Sequence, residues 1–417
     1  MKHVIIGNGP AGVVAAETLR KNDPGSSITL IGDELEPPYS RMALPYLMMG
    51  EIDEAGTYLR KDAGHFARLG IDLLQDSVDA VDAVKRGVRL KSGQSLSYDR
   101  LLIATGAHAI TPQIPGIDLP GVHACWTMED ARRIVARAVP GSRVLQIGAG
   151  FIGCIIMEAL KSRGVQLTVV EMGDRMVPRM MTPAAGTMIR NWCEQQGVRV
   201  RVSTRVTAIR RAGDGRNALV AKLDSGDEIE AETLIVAAGV RPNADFLRGS
   251  GIVCENGVSV DATMQTNVSG VYAAGDVAAA IDFSTGVRGM NAIQPNAVEQ
   301  ARVAALNMAG KRVESRGSLA LNVLDTLGLI SSSFGQWSGV PGGQSAELID
   351  EREFRYLSLQ FSGDVLIGAT AIGLTEHVGV LRGLVEGRVK LGPWKEHLLR
   401  EPLRITEAYI ARAQAAA

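Results

Sequence analysis

Short apolar runs bounded by glycine alternate with longer amphipathic stretches, the pattern of strands and helices taken in turn. Val4-Ile5-Ile6 is the first run, continuous rather than alternating, as in a parallel strand covered on both faces. Gly7-Asn8-Gly9-Pro10-Ala11-Gly12 follows it, then a predicted helix over Val13 to Leu19 and a second strand, Ser27-Ile28-Thr29-Leu30-Ile31. The succession returns at Val144-Leu145-Gln146-Ile147, with Gly148-Ala149-Gly150-Phe151-Ile152-Gly153, a helix through Leu160 and a strand from Val165 to Val170. Past residue 316 the pattern changes: Leu319 to Gln336 and Tyr356 to Ile372 read as strands, and Glu376 onward as helices with one apolar face.

Length and composition support several α/β domains. A chain of 417 residues exceeds one ordinary core, and at about 150 residues per domain two or three are expected, three on the pattern above. The formal charge of -1 lacks the basic excess that nucleic acid or anionic membrane attracts. Aromatics are scarce at 4% while glycine is abundant at 47 residues, which suits tight turns and close backbone approach to ligands. The N-terminus runs directly into a strand, and no apolar stretch reaches the roughly 18 residues of a membrane span, so neither a secretory signal nor a transmembrane segment is expected. Cys125, Cys154, Cys193 and Cys254 are far apart, without metal, cluster or dithiol spacing, and the histidines show no ligand spacing. A reducing cytoplasm is the expected compartment, and no metal is expected.

Each glycine segment has the chemistry of a dinucleotide site. G-x-G-x-x-G between strand and helix gives a tight turn, lets backbone approach a pyrophosphate, and presents N–H groups and the positive end of the helix dipole. In the first copy Gly7, Gly9, Pro10, Ala11 and Gly12 form that turn, and the next strand ends at Gly32-Asp33-Glu34, where either Asp33 or Glu34 can accept from a ribose hydroxyl. In the second copy Gly148, Gly150, Phe151, Ile152 and Gly153 do so, with Glu171 closing the following strand roughly 20 residues on. A carboxylate there accepts from the adenosine 2′-hydroxyl and repels a 2′-phosphate, favouring NADH and disfavouring NADPH, although Arg175 weakens that preference.

With these two turns placed, the remaining markers resemble the two-dinucleotide flavoprotein reductases of the pyridine nucleotide-disulfide oxidoreductase superfamily. Leu101 to Gly106, including Ala104-Thr105-Gly106, is similar to the segment that closes the first nucleotide domain; Thr233 to Asn243, including Gly239, to the return crossing; and Thr266 to Asp276, including Gly275, to the second FAD fingerprint. The resemblance implies a glutathione-reductase-like α/β fold of two Rossmann-like domains plus a C-terminal α+β domain. It implies FAD bound by residues 1–110 and 245–315, with Asp276 accepting from a ribityl hydroxyl. NADH would be bound by residues 111–244, and residues 316–417 would pack against a second subunit as a homodimer. A helix near Asn296 to Met308 would aim its N-terminus at the flavin pyrimidine edge.

Departures from the family's branches narrow the chemistry. Neither a C-x-x-x-x-C dithiol nor the single cysteine of the peroxidases and water-forming oxidases is present, and Met42 stands near the latter's position. A thioether forms no thiolate, sulfenate or disulfide. Pro38-Tyr39-Ser40-Arg41 is instead similar to rubredoxin and ferredoxin reductases and to nitrite reductase large subunits, which implies flavin contacts for Arg41. Tyr46 and Ile155 occupy the positions of a lysine and a glutamate in the ferredoxin reductases, removing an ion pair at both ends; Tyr46 and Glu158 become candidates for the nicotinamide pocket. The resemblance thus implies an FAD-dependent NADH:acceptor oxidoreductase passing hydride to flavin N5, then electrons to a ferredoxin, a rubredoxin or a larger redox complex. An NADH oxidase or diaphorase delivering to oxygen or quinone, and an apoptosis-inducing-factor-like flavoprotein with a binding or signalling role, are the alternatives.

Overall fold

Strands flanked on both faces by helix need apolar residues at every position, and the two runs that precede the glycine turns form the centres of two parallel sheets. A computed structural model of the chain describes residues 1–213 and 218–413 and divides them into two compact units.

The first unit comprises residues 1–47, 52–108 and 240–319. Its five-stranded sheet runs Val271–Ala273, Arg100–Ile103, Lys2–Ile6, Ser27–Gly32, Ile71–Gln75, every neighbouring pair parallel. Ile5, Leu30, Leu101 and Leu102 are fully buried at its centre. The helix after the first glycine turn spans Pro10–Asn22, three residues longer at each end than Val13 to Leu19, because proline is well placed in a first helical turn. It packs along the helix Gln294–Met308, and alanines on both (Ala11, Ala15, Ala16; Ala297, Ala301, Ala304) let the backbones approach closely. An antiparallel sheet of Val78–Asp82, Gly87–Leu90 and Ser95–Ser97 completes the unit's larger elements.

The second unit comprises, among the described residues, 48–51, 109–213, 218–239 and 320–413. Its parallel sheet runs Arg199–Arg201, Gln166–Val170, Arg143–Ile147, Thr233–Val236, Val122–Ala124. The helix Phe151–Ser162 leaves the second glycine turn. A second, five-stranded antiparallel sheet follows, in the order Leu321–Thr326, Leu329–Gly335, Val365–Ile372, Arg355–Ser362, Gln344–Asp350, with helices Val378–Glu386, Trp394–Arg400 and Ile405–Ala413 after it. The two long stretches expected as strands are hairpins, divided at Leu327-Gly328 and at Gly363 by positive φ angles. Gln344–Asp350 is an edge strand with mostly polar, exposed positions, which is why hydrophobic patterning misses it. Among the described residues no helix is long and apolar enough to cross a membrane.

Within this unit Tyr356 is fully buried, its hydroxyl 2.6 Å from Thr182 Oγ1 and donating to Glu347 Oε1 at 2.5 Å. Burial, then the bond to Glu347, pushes the phenol well above its ordinary value near 10. A folded-state pKa above the unfolded one gives stability that is present below the unfolded value and is lost as pH rises past it. Thermal stability is therefore expected to fall between about pH 9 and 11, and Tyr356→Phe should remove part of that slope while costing about 1–2 kcal/mol at neutral pH. A pH series of melting curves for both proteins checks it; identical slopes would contradict the assignment.

Candidate functional site

The two glycine turns are built on the same plan. Gly7 has φ +108° and Gly148 φ +103°; an added Cβ would stand 2.2 Å from Ala104 O in one and 2.4 Å from Ala237 O in the other. Gly12 and Gly153 are excluded from carrying a side chain by the Gly7 and Gly148 carbonyls, at 1.8 and 2.4 Å. Gly9 and Gly150 differ from all of these. Each has ordinary backbone (φ −72° and −76°) and nothing within 4 Å of its Cβ position. Neither strain nor protein packing requires glycine there. A group pressed against the backbone would, and the helices that start at Pro10 and Phe151 have no side-chain N-cap. Open space, uncapped N–H groups and a helix dipole fit a pyrophosphate at each turn.

The acids differ between the copies. Glu171 is buried and accepts from Ala149 N and Gly173 N, both at 2.7 Å, so its carboxylate is locked beside the second turn. Arg175 is committed to its own loop, donating to Met181 O, Pro178 O and Asp174 Oδ1. In the first unit the strand register puts Gly32 where Glu171 stands in the second, and the Asn8 side chain fills the space a Cβ would take. Of the two acids left open by the sequence, Glu34 accepts from Tyr39 Oη at 2.6 Å and Arg41 Nη2 at 2.5 Å, whereas Asp33 is exposed.

Around the first turn the strand ends converge. Ala104 meets Gly7; Thr105 Oγ1 donates to Asn243 O, and Asn243 returns bonds to Thr105 O and Gly106 O. Gly239 (φ +104°) likewise follows the strand whose end, Ala237, meets Gly148. Gly275 fits between Ala11 and Ala297, with its N–H on Gln300 Oε1 at 2.9 Å. Beside it, burial raises the Asp276 carboxyl above the usual range and Arg41 partly offsets this. The helix expected near Asn296 begins at Gln294, without a side-chain cap, and Ser40 Oγ donates to Gln294 Oε1 at 3.0 Å. Thus the start of the Pro10 helix, Asp276, Arg41 and the start of the Gln294 helix gather in one unit. Sequence reading missed Gln300, the Ser40–Gln294 bond and the Thr105–Asn243 pair, whose partners are distant along the chain.

Met42 and Tyr46 are both about half exposed, in the first unit. Ile155 and Glu158 belong to the second, on the partly exposed face of the Phe151–Ser162 helix. Burial, with Asp325 and Glu51, raises the Glu158 carboxyl. Cys125 and Cys193 are pushed up to about 12 by burial, Cys154 higher still, and exposed Cys254 is also raised, so no thiol among them is a thiolate at neutral pH.

The model of the pyridine nucleotide-disulphide oxidoreductases matches residues 1–306. The chain belongs to this family. Within it, the chain is similar over nearly its whole length to the NADH-dependent phenylglyoxylate dehydrogenase subunit epsilon of Aromatoleum evansii: 32% identity over 408 residues, covering 97% of this chain and 96% of that one. The ferredoxin–NAD(+) reductase component of the biphenyl dioxygenase system of Paraburkholderia xenovorans (strain LB400) is 35% identical over 277 residues, 66% of this chain and 67% of that one. Putidaredoxin reductase, solved in covalent complex with putidaredoxin, shares the fold with a TM-score of 0.89 at 23% identity, covering 98% of both chains. Family and fold agree on two Rossmann-like dinucleotide-binding domains plus a C-terminal domain.

Because Gly150 has open space and Gly153 does not, alanine should act differently at each. Gly150→Ala is expected to leave the melting temperature of the NADH-free protein within about 2 °C while raising KM for NADH at least tenfold, ~1.4 kcal/mol. Gly153→Ala should lower the melting temperature by several degrees, roughly 1–3 kcal/mol of overpacking. Equal destabilisation by both would contradict the distinction.

Proposed function

We propose that this protein is an FAD-dependent NADH:acceptor oxidoreductase, the reductase component of an electron-transfer system. The observation that carries the reading is the pair of turns whose middle glycines, Gly9 and Gly150, face open space at uncapped helix starts. Residues 1–110 and 245–315 are read as the FAD domain, 111–244 as the NADH domain and 316–417 as an interface for a homodimer. Breaks between compact units at 108/109, 239/240 and 319/320 lie close to these boundaries.

In the FAD domain the N–H groups at the start of the Pro10 helix bind the pyrophosphate and Asp33 accepts from the adenosine ribose. Glu34, bonded to Tyr39 and Arg41, anchors the Pro38-Tyr39-Ser40-Arg41 loop instead. Asp276 accepts from a ribityl hydroxyl, and the uncapped start of the Gln294 helix supplies a positive dipole end for the flavin pyrimidine edge. In the NADH domain the start of the Phe151 helix takes the second pyrophosphate. Glu171 accepts from the ribose diol and repels a 2′-phosphate, and Arg175, held by Met181 and Pro178, is occupied elsewhere. Tyr46 and Glu158 are read as candidates for lining the nicotinamide pocket. Bound FAD supplies hydride acceptance and the release of electrons one at a time; the protein contributes alignment and exclusion of water, with no nucleophile of its own.

The acceptor is read as a separate iron–sulfur or rubredoxin-like protein, or a larger redox complex, in the cytoplasm. This rests on the ferredoxin–NAD(+) reductase relative and on the full-length likeness to a subunit of an NADH-dependent dehydrogenase. The raised thiols and Met42 give no support to disulfide or peroxide chemistry.

Anaerobic stopped-flow mixing tests the reading. NADH is expected to bleach the flavin at roughly 1 to 10³ per second, with kcat/KM about 10²-fold above that for NADPH. A ferredoxin or rubredoxin is expected to reoxidise it much faster than air. Bleaching orders of magnitude slower would remove the enzyme reading, and reoxidation by air as fast as by any carrier would transfer it to an oxidase.

A further inference from the structure

Gln146 is a polar residue at the centre of an apolar strand, and it is fully buried. Its Nε2 donates at 2.9 Å to Gly148 O and at 2.9 Å to Gly153 O, the first and last glycines of the second turn. Two carbonyls facing one amide end require the NH₂ group there, which fixes the amide's orientation. The Oε1 finds no hydrogen-bond partner among the described residues. A buried acceptor left without a partner is unfavourable, so the bonds made by Nε2 come at a cost in stability that an apolar residue would avoid.

The first of these bonds holds one peptide plane at the turn, and the second ties it to the first turn of the helix. The carbonyl of Gly148 and the N–H of Ala149 belong to the same rigid group and point in opposite directions. Gln146 Nε2 donates to the carbonyl, and Glu171 Oε2 accepts from the N–H at 2.7 Å. The next carbonyl, Ala149 O, is turned inward as well, accepting from Val177 N at 2.8 Å. The turn's carbonyls are thereby withdrawn, and Glu171 is fastened to the peptide that Gln146 orients. The first turn has no such device: the position matching Gln146 is Ile5, that matching Glu171 is Gly32, and the Asn8 side chain lies over Gly32. The strut is particular to the second site.

We propose that Gln146 is a positioning residue for the second dinucleotide site: by holding the Gly148–Ala149 peptide in one orientation it aims the Glu171 carboxylate, and so sets affinity for NADH and preference over NADPH. This rests on the reading of that site as the NADH site. Gln146 touches no nucleotide; it acts through Glu171.

Gln146→Met keeps the length of the side chain, removes the donor and removes the unpaired acceptor, so a folded, FAD-retaining protein is expected, with Gln146→Leu as a second variant. Steady-state kinetics of either should show KM for NADH raised about tenfold with kcat lowered less than threefold, and a narrowed NADH over NADPH ratio. Hydrogen exchange at the Ala149 amide should quicken. The deciding comparison is a double-mutant cycle. In a Glu171→Ala background the Gln146 replacement should change KM by less than twofold, because the group it positions is gone. If Glu171→Ala raises KM for NADH but the Gln146 variants do not, or if the two effects multiply independently, the positioning role is overturned while the NADH site stands. If Glu171→Ala leaves KM for NADH unchanged, the NADH reading and this inference fall together.

Discussion

Everything in the two nucleotide regions depends on how closely the backbone of a strand–turn–helix junction can be pressed against the end of a neighbouring strand. Gly7 against Ala104 O, and Gly148 against Ala237 O, leave no room for a Cβ, and the last glycine of each turn is held under the carbonyl of the first. That closeness draws the helix start to the C-terminal ends of the central strands, where its N–H groups are left for a ligand. It also brings in the segments that follow those neighbouring strands, Thr105-Gly106 in one unit and Ala238-Gly239 in the other. In the first unit Gly275, with φ +82°, packs less tightly between two alanine-lined helices, 3.3 Å from Ala11 and 3.5 Å from Ala297 at its Cβ position, and Asp276 follows it there.

On this shared frame the two sites are tuned by opposite means. The second relies on one carboxylate fastened to the turn by backbone N–H bonds and supported from the buried side by an amide. The first leaves its strand-end position as glycine, fills it with Asn8, and moves its acids outward. There Glu34 is bound to Tyr39 and Arg41, and Arg41 in turn moderates the effect of burial on Asp276. A charge network around the first site and a single aimed acid at the second match what they would hold: a cofactor retained through turnover and a substrate that leaves after each one.

Much of this was legible in the sequence because its determinants are local. A glycine turn, the apolar run before it and the acid ending the next strand are separated by few residues, and each has a direct steric or electrostatic reason. The parts that were not legible depend on contacts distant along the chain or on weak patterns. Ser40 meets Gln294, Thr105 meets Asn243 and Gln300 caps Gly275, all across large separations. The proposal of Asp33 over Glu34 for the ribose rests on the position of Arg41, a loop side chain. The Leu327-Gly328 turn and the polar edge strand Gln344–Asp350 carry little apolar periodicity. Gln146 was visible as a polar residue within an apolar strand, but its role needs the geometry of one peptide plane.

On the proposed function electrons enter at one turn and are stored at the other, which requires two separate sites on one chain. Titrating the FAD-loaded protein with NAD(+) by calorimetry, with flavin absorbance followed throughout, tests this most directly. One equivalent of NAD(+) is expected to bind per chain with all FAD retained. Displacement of FAD by NAD(+), mole for mole, or no NAD(+) binding while FAD is held, would contradict it.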